Sequence, residues 1–175
     1  MAVLSVRRYG DPVLRRRARP VETVTPELRR LIDDMAETIR AESGLGLAAP
    51  QVGVSVRLMV VTEGESRQQA RALVNPVIVD HGGAVTAEEG CLSLPGIFAP
   101  VTRAAWVRLE ARDIDGKPVE LTARGLKARV LQHELDHLDG VLFIDHLEPV
   151  TREQIKRAIK KDGFPEDAGH HAAAL

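Results

Sequence analysis

The chain reads as an α+β domain: antiparallel β-sheets packed around a central metal-binding helix, with one further helix toward the N-terminus and one toward the C-terminus. Three observations carry this reading. Apolar residues recur at helical spacing over about 26–42, 124–138 and from 151 onward. Between the first two of these, consecutive strand-like runs are separated by turn signals. Asp115-Gly116 then joins two such runs in a hairpin, the short connection available to antiparallel neighbours.

The 175 residues suit one domain, taken as residues 1–163, with 164–175 expected as a disordered tail. Hydrophobic content of 44% and charged content of 28% are ordinary for a globular protein. Aromatics at 3% leave little for stacking on bases, and a net charge of -1 does not suit wrapping a polyanion, so DNA is not an expected partner. Met1-Ala2-Val3-Leu4 runs into charged residues without an apolar leader, and no long apolar span follows. A cytoplasmic protein without a membrane segment is expected. A lone cysteine, Cys91, allows no internal disulfide and leaves a buried small hydrophobe, a reactive thiol or a metal ligand.

Asp11-Pro12-Val13-Leu14 turns the chain near its start, and the arginines at 15, 16, 17 and 19 read as solvated surface. Thr25 is a capping residue and Pro26 suits the first helical position. Leu28, Leu31, Ile32, Met35 and Ile39 follow on one face, and Gly44-Leu45-Gly46 ends the helix. The stretch from Gly44 to Gly53 is small and apolar, with Gln51 its one polar side chain. Glycines here permit a ligand to approach the backbone, and the pattern is not that of a phosphate loop. Val56 to Thr62 and Ala72 to Asp80 read as strands, His81-Gly82-Gly83 as a turn, and Ala84 to Glu89 as extended again. Cys91 sits on a short extended piece before a turn at Pro95-Gly96. Ala105 to Asp113 and Pro118 to Thr122 form the hairpin. Val141 to Ile144 is a short apolar run. Thr151-Arg152-Glu153-Gln154 is a capping box opening the last helix, which is apolar at Ile155, Ala158 and Ile159 and basic on its other side.

The helix near 124–138 carries His133-Glu134-Leu135-Asp136-His137. Two histidines four apart stand on one helical face, so both imidazoles reach one metal ion, with Glu134 beside them to handle protons. Leu126, Val130, Leu131, Leu135 and Leu138 make the helix largely buried, where unpaired histidines and carboxylates are costly. Two satisfied core histidines would be the bland alternative. A catalytic site with an open position needs a third protein ligand. Cys91 is the only thiol and sits among glycine and turn residues, so a His2Cys set plus one water is chemically sensible for a divalent transition metal.

Three stretches resemble the signature motifs of the peptide deformylases, in the family's order: Gly44-Leu45-Gly46-Leu47-Ala48-Ala49-Pro50-Gln51, Glu89-Gly90-Cys91-Leu92-Ser93 and Gln132-His133-Glu134-Leu135-Asp136-His137. Gly10 to Arg15 and Gly140 to Asp145 fit as well, and the likeness spans about residues 4–160. It implies a single deformylase-like catalytic domain that removes the N-formyl group from the initiator methionine of nascent polypeptides and releases formate. By the same resemblance Cys91, His133 and His137 hold one divalent metal ion, natively Fe(II), with Zn, Ni or Co as substitutes. Glu134 takes a proton from the water in the fourth position and returns it to the departing amine. Gln51 and the Leu92 backbone N–H serve the oxyanion. Leu126, Val130 and Leu45 would line a slot for the methionine side chain, with the stem of Arg129 at its mouth. Gly44, Gly46 and the segment after Cys91 would pair with an extended peptide. Phe98 stands near a position where many family members place an arginine that meets the substrate backbone, and Arg103 comes later. Glu89, Gln132 and Asp136 would orient ligands and neighbours. The short connection between Val61 and Ala72 resembles the bacterial form.

Two rival functions are defined by their own residues. A zinc endopeptidase of the HExxH kind would take its third ligand downstream, from His146 or Glu148. A ribosome- or RNA-binding protein with a structural metal would use the basic side of 152–161, a helix face that a deformylase could also use for transient ribosome contact.

Overall fold

Thr25 Oγ1 accepts a hydrogen bond from the Leu28 N–H at 3.2 Å and Pro26 takes the first helical position, so α1 runs Pro26–Ala41. The computed structural model describes residues 1–64, 69–165 and 175. Seven strands follow α1 or separate the helices: β1 Gly46–Ala48, β2 Leu58–Glu63, β3 Gln69–Gly82, β4 Val85–Cys91, β5 Leu94–Arg103, β6 Trp106–Arg112 and β7 Pro118–Arg124. Then come α2, Gly125–Leu138, and α3, Pro149–Asp162. All ladders are antiparallel, in one sheet ordered β1-β2-β3-β6-β7 and a separate β4-β5 ribbon.

The long β3 serves two neighbours in turn. Leu58 pairs with Val74 on one side, and Val77 to Gly82 pair with β6 on the other. The changeover is an irregularity at Asn75, which has φ +51° and exchanges two 2.8 Å hydrogen bonds with the backbone of Val21. Asparagine tolerates this conformation because its short amide can bond locally.

The buried apolar residues fall into separate groups set around α2. One joins Met59, Leu73, Leu109, Val130 and Leu131 between the large sheet and α2. A second holds Leu14, Cys91, Leu94, Phe143 and Ile144 under the ribbon, and a third packs Met35 and Ile39 of α1 on Leu47, Leu58 and Val60. The metal-motif helix is thus enclosed on several sides, as its sequence pattern predicts, except in its first turn, where Leu126 is 59% exposed. No helix among the described residues is long and apolar enough to cross a membrane.

Several local expectations are corrected. Gly46–Ala48, read only as the small apolar stretch after the first helix, is a buried edge strand paired with Val61, Val60 and Met59. The turn after Cys91 falls at Leu92-Ser93, and β5 continues through Pro95-Gly96. Gly96 has φ +74°, and a Cβ there would lie 2.5 Å from the Pro165 carbonyl, so this glycine serves a bend and a close crossing inside a strand. His81 and Gly82 belong to β3. The run Val141 to Ile144 leads into a 3-10 turn, Phe143–His146, that buries Phe143 and Ile144. The last helix begins at Pro149, two residues before Thr151, with Pro again at the first turn. Of the expected tail, Phe164 faces Arg8, Pro165 crosses Gly96 and Leu175 is buried against the first core group; the rest of that stretch, with His170-His171, lies outside the described residues.

Candidate metal centre

α2 starts as β7 ends, where Gly125 at φ +58° turns the chain. Its C-terminus is pinned from two directions. The Leu138 carbonyl accepts from the Ala18 N–H at 2.8 Å and from Arg57 Nη1 at 3.1 Å, and Gly140 passes against the Arg15 carbonyl where a Cβ would sit at 2.6 Å. These contacts anchor the C-terminal end of the helix, beyond His137. Both rings are buried, and their Nε2 atoms approach to 3.3 Å.

Cys91 arrives from the other layer. It closes β4 at a register irregularity after Gly90, and Phe98 of β5 covers Gly90 so tightly that a Cβ would meet the ring at 2.3 Å. Cys91 Sγ lies 3.3 Å from His137 Nε2, and the ligand atoms of Cys91, His133 and His137 all fall within 4.8 Å of one another. Three soft or borderline donors converging this closely in a buried place fit a divalent transition metal.

The protons point the same way. Burial opposes charging the His133 ring, yet Cys91, Glu89 and Glu134 outweigh it and push the ring up to about 10. Negative neighbours thus surround this ring. His137 is driven the other way, well below the usual histidine range, by burial and then by the neighbouring His133 and Arg103 charges, which keeps it a neutral donor. Burial pushes the Glu134 carboxyl up to about 7.

Glu134 is fully buried, and neither carboxylate oxygen has a hydrogen-bond partner among the described residues. It lies over β1, where a Cβ on Gly46 would come within 2.8 Å of its Cγ. Gln51, in the 3-10 turn Ala49–Val52, is also fully buried. Its Oε1 accepts from the Ala48 N–H at 2.8 Å, which orients Nε2 toward Ser93 Oγ at 3.3 Å and Cys91 Sγ at 3.7 Å. The N-terminal segment braces both partners, with Arg7 N donating to the Gln51 carbonyl at 2.7 Å and Tyr9 N to the Ser93 carbonyl at 2.8 Å. Leu92, in the tight turn after Cys91, is half-buried against Gly44.

Glu89 organises the far side. Its Oε1 receives His133 Nδ1 at 2.9 Å and Arg103 Nη2 at 2.8 Å, while Oε2 receives Arg103 Nε at 2.9 Å and Arg129 Nη1 at 2.6 Å. Burial would raise this carboxyl, but Arg103 and His133 overcome it and hold it well below the usual carboxylate range. Arg103 extends the network to Asp136 at 2.6 Å, and Asp136 meets His146 at 2.7 Å. Glu89 thus contacts the His133 ring directly, and Asp136 meets Arg103 and His146. Gln132 instead clamps the Ala104 backbone through both ends of its amide, 3.0 Å each way.

Leu45, Leu126 and Val130 do share one apolar cavity, about 260 Å³, completed by Val61, Thr62, Gly64, Lys127 and Leu131. Arg129 is corrected. Its guanidinium is buried against Glu89 and strand carbonyls, away from the mouth of that cavity, because an ionised Glu89 in the interior draws it inward. Phe98 covers Gly90, and Arg103 is buried in the ion network. His146 pairs with Asp136 outside the ligand cluster, and Glu148 is an exposed residue before α3, so neither is the third ligand of an endopeptidase. Sequence reading passes over Ser93 and the role of Arg103. The alternation of Ala99, Val101 and Arg103 on the buried face of β5 was the available signal, since an inward arginine demands an anion.

The polypeptide deformylase family model matches residues 3–153. The chain belongs to the polypeptide deformylase family. A peptide deformylase of Alkalilimnicola ehrlichii is 48% identical over 162 residues, covering 92% of this chain and 91% of that one. One from Tolumonas auensis is 45% identical over 161 residues, covering 92% and 96%. The crystal structure of a peptide deformylase from Legionella pneumophila superposes with a TM-score of 0.86 at 44% identity, covering 91% of this chain and 95% of the other. That from Thermus thermophilus gives 0.83 at 46% identity, covering 90% and 93%. The α+β architecture is thus the deformylase one, and the chain is a metal-dependent hydrolase that removes N-formyl groups from polypeptides. A divalent ion belongs to the deformylase reaction, and the Cys91, His133 and His137 donors fit it.

Proposed function

We propose that Cys91, His133 and His137 bind the metal, that Glu134 moves the proton, and that formyl-methionine at the start of new polypeptides is the substrate, with formate as product. When bound, the ion supplies Lewis acidity and a water activated at neutral pH, and we assign it as Fe(II), replaceable by Zn, Ni or Co. Glu134 is a buried carboxylate whose two oxygens have no hydrogen-bond partner among the described residues. A carboxyl raised toward neutral pH accepts a proton from water and gives it up again to a departing amine. Gln51 Nε2, aimed at the Cys91 side by the Ala48 N–H, donates to the developing oxyanion together with the Leu92 N–H. Gly44, Gly46 and the turn after Cys91 take the peptide backbone by strand addition. The cavity of Leu45, Leu126 and Val130 takes the methionine side chain, whose flexible thioether fills irregular apolar space.

The observation that carries this reading is the pairing of a partnerless buried carboxylate with a three-donor cluster one helical position away. Anaerobically purified protein should release formate from a formyl-methionyl peptide. Glu134→Ala should keep its metal and lose nearly all turnover; normal turnover in that variant would sink the mechanism.

The compartment that fits this substrate is the cytoplasm, and α3 is where we place transient ribosome contact. Arg152 bonds the Asp145 carbonyl at 3.4 Å and Lys156 pairs with Glu153 at 3.2 Å, which leaves Arg157, Lys160 and Lys161 exposed along 152–161. Salt-sensitive co-sedimentation with ribosomes, lost on truncation at Pro149, is the expected result.

A further inference from the structure

We infer that Arg129 is a positioning residue for the metal ion: it fixes the Glu89 carboxylate that orients His133, and ties the strand pair bearing Cys91 to the helix bearing both histidines. The inference rests on the ligand set assigned above. Arg129 lies one turn before His133 on α2, with its side chain only 6% exposed. One nitrogen, Nη1, donates to Glu89 Oε2 at 2.6 Å and to the Val101 carbonyl of β5 at 2.8 Å. The other, Nη2, donates to the Val85 carbonyl of β4 at 2.7 Å. A single planar group thus holds both strands of the ribbon and its buried anion at once.

Geometry assigns the consequence. Glu89 stands two residues before Cys91 and its Oε1 faces His133 Nδ1 at 2.9 Å. With the Nδ1 proton given to Glu89, Nε2 is the free donor that faces Cys91 and His137. Arg103 alone grips Glu89 through both oxygens, but from β5, on the same ribbon. Arg129 is the cation that reaches Glu89 from the histidine helix. Without it the helix meets Glu89 only through the His133 ring that Glu89 must orient, and the ribbon only through the more exposed Arg103–Asp136 pair, so no cation of the histidine helix holds the carboxylate in place. Lysine cannot replace it fully, since a point ammonium lacks the planar fork that serves an anion and two carbonyls together.

The test is cobalt or zinc retention by the full chain against a competing chelator, with the Co(II)–thiolate absorption band recorded alongside the melting temperature. Arg129→Met should weaken metal binding by about 10- to 100-fold and shift the band, with Arg129→Lys between it and wild type. Arg57→Met is the control, because Arg57 also clamps α2, through the Leu138 carbonyl and Asp139, without touching Glu89. It should lower the melting temperature while holding metal within about threefold of wild type. The inference is overturned if Arg129→Met also stays within about threefold, or if Arg57→Met loses metal as readily. Where Arg129→Met does not fold, Arg129→Lys decides: weaker retention with an altered band supports the role, and wild-type retention overturns it. Failure of the wild type to take up Co(II) would instead bring down the ligand assignment itself, and this inference with it.

Discussion

Gly46 and Glu134 occupy the same small volume, and the glycine is what lets the carboxylate stand there. The Cβ of an alanine would sit 2.8 Å from Glu134 Cγ and 2.9 Å from Oε1. Among the described residues Glu134 has no hydrogen bond to resist displacement, so the side chain would swing instead of the strand moving. A displacement near 1 Å in a catalytic group costs on the order of 10²-fold in rate. Gly46→Ala should therefore lower kcat by about that factor while metal content stays at the wild-type level. Steady-state kinetics with metal analysis on the same sample checks both halves. Gln51 works by the opposite logic, since its neighbours over-determine it. The Ala48 N–H fixes which end of the amide faces the sulfur, and Ser93 holds the other hydrogen. Gln51→Ala removes one proposed oxyanion donor, worth roughly 3–4 kcal/mol, so kcat should fall by about 10²–10³ with metal retained. A loss confined to KM would mean that the amide binds substrate without serving the transition state.

At the level of elements, α2 was legible because one helix face carries everything the period predicts: two histidines four apart, and Val130 and Leu126 one and two turns below on the cavity wall. Cys91 was legible as a ligand candidate because no core pattern claimed it. The strand that completes the cleft was not. Gly46–Ala48 is too short for alternation to show, and its three residues are buried on both faces. Pro95-Gly96 misled for a related reason: a proline and a left-handed glycine read as a turn unless the partner strand is known, and β4 supplies it. Arg129 escaped because spacing on a helix says which side a residue leaves from, while a long side chain ends wherever its anion is. The cavity gives this scale its prediction. Val130 is buried in the wall opposite Leu45, so Val130→Phe adds volume where a methionine side chain would insert. Overpacking a fitted site costs typically about 1–3 kcal/mol, or roughly 10- to 100-fold in kcat/KM for formyl-methionyl peptides. Peptides beginning with formyl-alanine should lose far less. Equal losses for both would show that the cavity is not the side-chain slot.

Across the whole molecule, the chain's first turn is stapled to the segment after the metal helix, and this staple responds to acid. Arg15 reaches Asp145 through both nitrogens, at 2.6 and 3.2 Å, while the Leu142 N–H donates to the same carboxylate at 3.0 Å. Burial would raise the Asp145 carboxyl, yet Arg15 and the Leu142 amide overcome it and hold it below the ordinary aspartate range. The unfolded chain, with its carboxyl near about 3.9, therefore binds this proton more readily than the folded one. Stabilisation from the pair is complete above that value and disappears as the pH falls through the lower folded value. Both side chains are partly solvated, 40% and 28% exposed, so the contribution at neutral pH is discounted to about 1 kcal/mol. Asp145→Asn should lower the melting temperature by about 2–4 °C at pH 7, the shift expected of that energy in a domain of this size. The gap between variant and wild type should begin to narrow as the pH falls below about 3.9 and vanish only below the lower folded value, where the native carboxyl is neutral as well. A gap that stays constant to the acid limit would assign the effect to lost packing, and the charge of Asp145 would then contribute nothing to holding the two ends of the fold together.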